Sequence, residues 1–268
     1  MIALDLDGTL LNEKKELTER TRHALEAAAE RGLAVVISTG RPVTAIPKEL
    51  KELPCIRYAV TADGARIEDL CTGELLHEAL IPREMVKPIY DVFDQFDTIE
   101  EIYIDGRGYV SEWALDVADQ YTPNPASANY LRETRIPVPD VHDLMDHDID
   151  KAHALFKTVE DREEAKRRIG RLGDLVLCDA FMINLEVSAP GVDKGSGLKV
   201  LGGMLGITTD QIMAFGDSNN DACMLEAAGI SVCMDNGEEA IKKTADIIAP
   251  SNEEDGVAVV LERMLQES

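Results

Sequence analysis

Basic residues are scarce in this chain of 268 residues, which has 27 Lys and Arg against 51 Asp and Glu. The net charge of −24 argues against nucleic acid or an anionic membrane surface as a partner, because both require a basic footprint. A small anionic substrate stays possible, since one basic pocket is enough to bind it. No apolar run approaches the roughly 18 residues of a membrane span, and no signal peptide precedes the first predicted strand.

Cysteine is also sparse. The five cysteines are odd in number, widely separated and without a Cys-x-x-Cys pair. This pattern excludes a disulfide framework and a cysteine-based zinc site. We therefore predict buried free thiols in a reducing compartment, and a cytoplasmic protein.

Both ends of the chain alternate apolar strands with helices. The nearly all-apolar run 33–38 is typical of a parallel sheet that is covered on both faces. A helix is predicted from Thr18, a good N-cap residue, to Arg31, with Gly32 as its stop. Further strands are predicted at 1–6, 58–61 and 212–215, and a helix at 194–205. Strand–helix alternation at both ends predicts one α/β, doubly wound domain built from both termini.

The middle of the chain has a different pattern of predicted elements. It shows alternating strands around a helix at 160–172, a hairpin turn at Asp105-Gly106, and a strand at 181–187. A Pro/Asn/Ser-rich segment at 122–129 is predicted to be a loop. These signals predict an inserted α+β domain, since insertion is tolerated where chain ends lie close together.

Two carboxylates, Asp5 and Asp7, stand two residues apart where the first predicted strand ends, and Gly8 and Thr9 follow at once. Strand geometry points both side chains the same way, and Gly8 permits a sharp turn. Converging acids at this end of a strand suit a hard cation or acid–base chemistry. Two solvated acids in a turn are the alternative. An EF-hand is excluded, because Leu10 stands where its loop needs glycine.

Three further polar motifs lie at the edge where open α/β sheets bind ligands. The run Ser38–Arg41 offers a hydroxyl, backbone amides and a cation, which suit a phosphate group just before a helix. Lys194, flanked by glycines, can neutralise a carboxylate or a phosphoryl group. The run Gly216–Asp221 is dense in oxygen ligands for Mg²⁺. Taken singly, the three are equally a helix N-cap, a surface lysine and an Asp-rich first turn.

In this order and together, the motifs resemble the haloacid dehalogenase (HAD) superfamily of phosphohydrolases. Thr39-Gly40-Arg41 after the second strand and the region 186–195 make the chain similar to the Cof-type branch, subfamily IIB. Asp63 and Asp193 depart slightly, since that branch often has Asn and Ser at these positions. The resemblance implies a Rossmann-like core of residues 1–81 and 188–268, with an inserted α+β, C2-type cap of residues 82–187.

The resemblance also implies a role for each motif residue. Asp5 would be the nucleophile that forms an aspartyl-phosphate, and Asp7 the general acid and base. Mg²⁺ would be held by the Asp5 side chain, the Asp7 backbone carbonyl and Asp217, with Asp221 orienting its waters. The donors expected to hold the phosphoryl group are Thr39, Gly40, Lys194 and Asn220, with Arg41 beside them in a supporting position.

The expected activity is Mg²⁺-dependent hydrolysis of small phosphorylated metabolites, with sugar phosphates as the first candidates. A sugar phosphomutase of the same superfamily and a regulatory ligand-binding protein on this scaffold remain open alternatives. The sequence does not indicate the oligomeric state. The cap residues expected to contact the leaving group, which the sequence does not rank, are Arg107, Trp113, His142, His147 and His153.

Overall fold

The chain folds into two compact units in the computed structural model. The structure describes residues 1–179 and 183–267, with Glu267 by its backbone alone. The first unit comprises Met1–Gly40, Ile46–His77 and Asp193–Ser268, and the second Arg41–Ala45 and Glu78–Val192. The boundaries expected from the sequence, 81/82 and 187/188, fall a few residues away. Arg41–Ala45 groups with the second unit because the Thr44 amide and hydroxyl both donate to Gly106 O.

The secondary structure of the described residues is as follows. The strands are β1 Ile2–Leu4, β2 Val35–Ser38, β3 Ile56–Thr61, β4 Arg66–Asp69, β5 Glu74–Glu78, β6 Thr98–Ile104, β7 Arg107–Ser111, β8 Ile136–Val138, β9 Lys151–Phe156, β10 Val176–Cys178, β11 Asn184–Ser188, β12 Met213–Gly216, β13 Ile230–Met234 and β14 Ile247–Ala249. The α-helices are α1 Glu19–Glu30, α2 Lys48–Lys51, α3 Arg83–Phe93, α4 Glu112–Val117, α5 Pro125–Thr134, α6 Val159–Ile169, α7 Lys194–Leu205, α8 Ala222–Ala227, α9 Glu239–Lys242 and α10 Gly256–Glu267.

The first unit is built on a sheet of order β14-β13-β12-β1-β2-β3-β4-β5. Pairing is parallel from β14 to β3, and β4 then runs antiparallel to β3. The central strand β1 is fully buried, as its apolar sequence requires. The predicted α/β class is confirmed, and the four predicted core strands lie within two residues of those observed. The carboxyl ends of β1, β2 and β12 therefore meet at one sheet edge.

Capping residues fix the helices that lead to this edge. Thr18 caps α1 by accepting a hydrogen bond from the Thr21 amide, as predicted. Asp193 and Ser196 form a capping box at the start of α7, and Gly206 closes the helix in the left-handed conformation. The helix thus spans 194–205, the predicted range.

The second unit holds a six-stranded sheet of order β10-β11-β9-β6-β7-β8. Helices α3 and α6 pack together and against β9. The predicted loop at 122–129 is wrong, because Asn124 caps helix α5 and Pro125 occupies its first turn. The Pro/Asn/Ser-rich segment therefore forms the first turn of a helix and not a loop. Of the predicted strand 181–187, residues 181 and 182 lie outside the described residues, and the rest lies in or beside β11.

The cysteines only partly match the sequence expectation. All five are free thiols, but only Cys233 is buried and Cys71 is exposed. Among the described helices, none has the length and apolar character that a bilayer crossing would require.

Candidate active site

A buried lysine joins two acids at the carboxyl edge of the first unit's sheet. Lys194 Nζ lies 2.8 Å from Asp5 Oδ1 and 2.6 Å from Asp221 Oδ1. Asp5 follows β1, Lys194 opens α7, and Asp221 ends a 3₁₀ turn after β12. All three side chains are at most 7% exposed. The fold therefore brings together three residues that the motifs placed far apart in sequence.

Burial and neighbouring charges shift the pKa values of Asp5 and Lys194. Burial, and then the Asp221 carboxylate, raise the pKa of Asp5 well above its ordinary value. Burial lowers the pKa of Lys194, but Asp221 and Asp5 outweigh it and raise that pKa well above its usual range. The ammonium is therefore held charged beside the proposed nucleophile. Its positive charge favours the ionised form of Asp5 that nucleophilic attack requires.

Asp217 lies beside this trio. Its Oδ1 accepts a hydrogen bond from Thr9 Oγ1 at 2.9 Å, and its amide donates to Asp221 Oδ2 at 3.0 Å. The Ser218 amide donates to the same Asp221 oxygen at 3.1 Å. Both Asp221 oxygens are therefore occupied by protein donors, an arrangement that suits the supporting position expected of this residue. Burial, and then Asp221, raise the pKa of Asp217 to about 7.

The donor set fits a hard divalent cation. Asp5, Asp217 and Asp221 each offer a carboxylate oxygen, and these oxygens lie within 4.8 Å of one another. Within the described chain, Asp5 Oδ2 and Asp217 Oδ2 accept no hydrogen bond. Clustered carboxylates that repel one another, with oxygens left for a ligand, are what Mg²⁺ binds in proteins.

Asp7 has different surroundings. Its Oδ1 pairs with Lys15 Nζ at 2.6 Å, and the two side chains are 42% and 49% exposed. The Asp7 carboxylate is therefore in contact with solvent, which suits a residue that exchanges protons. The sequence did not single out Lys15, because an exposed lysine in a turn carries no signal of its own.

Gly8 makes the close approach of these loops possible. Its φ of +85° belongs to the left-handed region, and a Cβ there would lie 2.5 Å from Asp217 Oδ2. The Asn236 amide donates to Gly8 O at 2.8 Å. The glycine of the first motif is therefore required both for the turn and for the space beside Asp217.

A second glycine brings the loop after β3 to the start of α7. A Cβ on Gly64, whose φ is +101°, would lie 2.1 Å from Asp193 O. The neighbouring residue Asp63 is itself at φ +53° and adds negative charge near Lys194. Asp193 has a capping role, which explains why an acid is acceptable there.

The expected phosphate ligands are placed in different ways. Thr39 is 2% exposed, and its backbone amide donates to Val60 O at 2.9 Å, which fixes this residue at the sheet edge. Gly40 follows it at the same edge. Asn220 is 8% exposed, and its Oδ1 accepts a hydrogen bond from Ser218 Oγ at 2.9 Å, which orients the amide NH₂ as a donor.

Arg41 belongs to the second unit. Its guanidinium lies 4.5 Å from the centre of the Tyr130 ring, and Nη1 donates to Ala45 O at 3.0 Å. The supporting role expected of Arg41 stays a prediction.

The other predicted cap contacts are also dispersed through the second unit. His153 is buried and its Nδ1 lies 2.8 Å from Glu101 Oε1, whereas His147 Nδ1 is 3.1 Å from Leu144 O. Trp113 is 52% exposed and Arg107 is exposed at the β6–β7 turn. His142 lies among carboxylates.

Thr9 and Ser218 are site residues that the sequence analysis did not assign. Thr9 holds Asp217, and Ser218 holds both Asn220 and Asp221. Their signal was their position inside the first and last motifs, where a short hydroxyl side chain can fix a neighbouring acid or amide.

The chain is similar over nearly its whole length to proteins of one family. A model of haloacid dehalogenase-like hydrolases matches residues 2–261. Phosphatase YwpJ of Bacillus subtilis (strain 168) is 31% identical over 284 residues, which cover 99% of each chain. From the same organism, 5-amino-6-(5-phospho-D-ribitylamino)uracil phosphatase YcsE is 29% identical over 258 residues, covering 96% of this chain and 92% of the relative. The solved structure of the HAD subclass IIB sugar phosphatase BT4131 has a TM-score of 0.84, with 25% identity and 98% of both chains covered.

The match spans nearly the whole chain, and the motifs that suggested it meet at one sheet edge. The chain belongs to the haloacid dehalogenase-like hydrolase family, and it is a phosphatase.

Proposed function

We propose that this phosphatase hydrolyses phosphate monoesters of small polyhydroxylated metabolites, with Mg²⁺ and through an aspartyl-phosphate on Asp5. The observation that carries the proposal is the buried Lys194, which bridges Asp5 and Asp221. A lysine in this position neutralises the nucleophile and the incoming phosphoryl group. It also explains how a chain of net charge −24 binds an anion.

In the first half-reaction, an Asp5 oxygen attacks phosphorus and the bond from phosphorus to the ester oxygen breaks. Asp7 gives its proton to the leaving alkoxide, which departs as an alcohol. In the second half-reaction, the ionised Asp7 takes a proton from water, and the water oxygen attacks phosphorus. The bond between phosphorus and Asp5 breaks, inorganic phosphate leaves, and Asp7 is protonated again.

The phosphoryl group carries negative charge that must be balanced throughout. Lys194 supplies a buried positive charge, and the Thr39 hydroxyl, the Gly40 amide and the Asn220 amide supply hydrogen-bond donors. Mg²⁺ would be held by Asp5 and Asp217 side chains and by the Asp7 backbone carbonyl. When bound, it compensates charge on the phosphoryl oxygens.

The leaving group is proposed from two observations. The name of one relative describes a phosphate on a ribityl chain and the name of another a sugar phosphatase, so both have hydroxyl-rich substrates. In the second unit, which we propose is a C2-type cap, one sheet face carries donors and acceptors from three neighbouring strands. These are Glu101, Tyr103, Lys151, His153, Asn184 and Glu186.

These side chains are held in fixed positions. Lys151 Nζ lies 2.7 Å from Glu186 Oε1, His153 Nδ1 lies 2.8 Å from Glu101 Oε1, and Arg135 Nη2 donates to the Tyr103 hydroxyl at 2.6 Å. Preorganised polar groups distinguish hydroxyl-rich ligands well, because an analogue that lacks a hydroxyl leaves them unpaired. We propose that this face selects the leaving group, with sugar phosphates as the first candidates.

The test is a phosphate-release screen over sugar, polyol and nucleoside monophosphates, with and without Mg²⁺. Asp5→Asn should abolish release, while its circular dichroism and unfolding midpoint stay near those of the parent chain. Asp246→Asn is the matched control, since Asp246 binds Ser231 at the amino end of β14, the opposite edge of the sheet. It should retain activity.

Near-native turnover by Asp5→Asn, with mass spectrometry showing that the amide persists, would refute the covalent scheme. Dependence on a bisphosphate activator, with isomerised rather than hydrolysed product, would instead indicate a phosphomutase. Absence of release from every substrate, including a generic aryl phosphate, would favour a regulatory ligand-binding role.

A further inference from the structure

A second group of metal-ligand side chains lies wholly within the second unit. It consists of Asp94, directly after α3, Glu100 on β6, and His142 in the 3₁₀ turn Val141–Leu144. Their ligand atoms lie within 4.8 Å of one another. None of them is part of the proposed phosphoryl-transfer machinery, so the group needs its own explanation.

The separations match those of ligands around a small cation. His142 Nε2 lies 3.0 Å from Asp94 Oδ1 and 3.5 Å from Glu100 Oε2. In a tetrahedral zinc site with bonds of about 2.0–2.1 Å, neighbouring ligand atoms are about 3.3 Å apart. The observed pairs lie on either side of that value.

Glu100 supplies an independent sign of a missing partner. Its side chain is only 8% exposed, and its Oε1 accepts from Thr98 Oγ1 at 3.3 Å. In the described residues, the buried Oε2 accepts no hydrogen bond. A buried carboxylate oxygen without a donor costs free energy, which either a proton or a bound cation at that oxygen relieves. This oxygen is the one that faces His142.

His142 is oriented as metal-bound histidines are. Its Nδ1 lies 2.6 Å from Asp140 Oδ1, and its backbone amide donates to the same oxygen at 3.0 Å. The turn is anchored because the Val141 amide donates to Ser111 Oγ at 2.9 Å. A carboxylate on Nδ1 fixes the tautomer and presents Nε2 as a ligand, the usual arrangement around zinc.

The charges also favour a divalent cation. With an imidazolium and three carboxylates (Asp94, Glu100 and Asp140), the group would carry a net charge of −2. With a neutral imidazole and a bound divalent cation, its net charge falls to −1. An imidazole together with two carboxylates suits Zn²⁺ and similar transition ions better than Mg²⁺, which prefers oxygen ligands alone.

We propose that Asp94, Glu100 and His142 form a binding site for a zinc-class divalent cation, with Asp140 as the positioning residue for His142. The ion joins the end of α3, strand β6 and the 3₁₀ turn, so it stabilises the second unit. Three protein ligands leave a fourth position to water.

The experiment uses the full chain with Asp217→Asn, which weakens the acid cluster of the first unit, after removal of metal by a chelator. Co²⁺ is titrated while the visible d–d absorption and the heat of binding are recorded, and Zn²⁺ is then added in competition. We expect one Co²⁺ per chain, displaced by Zn²⁺, and a rise in the thermal midpoint on Zn²⁺ binding.

Variants locate the ion. Glu100→Gln, which keeps the side-chain shape, and His142→Asn should each weaken binding at least tenfold, and Asp140→Asn by about tenfold to a hundredfold. His147→Asn is the matched control, because His147 lies in the same segment and its Nδ1 contacts Leu144 O, whereas the metal-ligand groups found among the described residues do not include it. It should bind as the parent does.

Two results would overturn the proposal. One is the absence of Co²⁺ and Zn²⁺ binding in the Asp217→Asn chain, which would leave the group a metal-free ion-pair network. The other is equal binding by the Glu100→Gln, His142→Asn and His147→Asn chains. Because Glu100→Gln preserves packing, a misfolded His142→Asn chain would not prevent a decision.

Discussion

Replacement of Lys194 by Met tests the electrostatic basis of the site. The change keeps most of the side-chain volume but removes the positive charge that pairs with both Asp5 and Asp221. With an effective dielectric constant of about 20, each ion pair at the observed 2.8 and 2.6 Å contributes about 6 kcal/mol before desolvation is counted. Breaking such a buried pair typically costs about 3–5 kcal/mol net. We expect Lys194→Met to lower the free energy of unfolding by this amount in metal-free protein.

The pH dependence follows from the protonation of Asp5. Burial already raises its pKa, and loss of Lys194 raises it further, so the variant takes up a proton more readily. The penalty should therefore be larger at the higher pH and should shrink as the pH falls and Asp5 takes up a proton. Urea unfolding at about pH 7.5 and pH 5 measures it, and phosphate release should be lost at both values.

A double variant supplies the internal check. Adding Asp221→Asn to Lys194→Met removes one of the two buried carboxylates that have lost their lysine partner. The double variant should therefore recover part of the lost stability, because the effects of substitutions at contacting residues are coupled. Lys199→Met, an exposed position on the same helix, is the control and should change little. A loss below about 1 kcal/mol for Lys194→Met, or no recovery in the double variant, would refute the reasoning.

Three further predictions concern other parts of the chain. Gly8→Ala should lower phosphate release at least tenfold, because the new Cβ would lie 2.5 Å from Asp217 Oδ2. Gly32→Ala is the control, because Gly32 has φ +82° and open space around it. It should lower the free energy of unfolding in urea by only about 1–2 kcal/mol and keep the activity. Since burial and Asp221 raise the pKa of Asp217 to about 7, Mg²⁺ must displace a proton below that pH. Its affinity by calorimetry should fall up to about tenfold per pH unit there, and less steeply in Asp217→Asn, where Asp5 remains as the ligand that takes up a proton. Burial opposes ionisation of Glu101, but Arg135 and His153 outweigh it and lower the pKa of Glu101 to about 2. The ion pairs of Glu101 therefore stabilise the folded state above its unfolded pKa of 4.5, and this stabilisation is lost as the pH falls towards 2. Arg135→Met should therefore cost about 3–5 kcal/mol near neutral pH and progressively less in acid, as followed by urea unfolding. A pH-independent Mg²⁺ affinity, a uniform Arg135→Met penalty, or equal activity of the two glycine variants would contradict these expectations.

The sequence predicted best where local signals and topology agreed. Helix α7 has a cap residue before it and Gly206 after it, so its limits are encoded locally. The convergence of Asp5, Lys194 and Asp221 follows from parallel strands, whose carboxyl ends share one edge. These parts of the site needed only the strand order and the motifs.

Prediction from sequence failed where the same local residues suit two different structures. The Pro/Asn/Ser-rich start at 122–129 suits a loop, yet Asn124 and Pro125 equally suit a helix start, and packing decided for the helix. Strand β4 escaped notice because its charged residues are buried as pairs, such as Arg66 with Glu68, which no hydrophobic period reveals. The contacts of Lys15 with Asp7 and of Arg41 with Tyr130 depend on tertiary placement alone.

The central position of β1 has a consequence for the order of folding. This strand pairs with β2 on one side and with β12, more than two hundred residues later, on the other. The stretch Glu78–Val192 of the second unit emerges from the ribosome before β12 exists. Until then, β1 has one unpaired apolar edge, and long-range parallel pairing is slow. We expect incomplete chains to aggregate through Ile2–Leu4, and catalytic competence to arise only when the last third of the chain has been made.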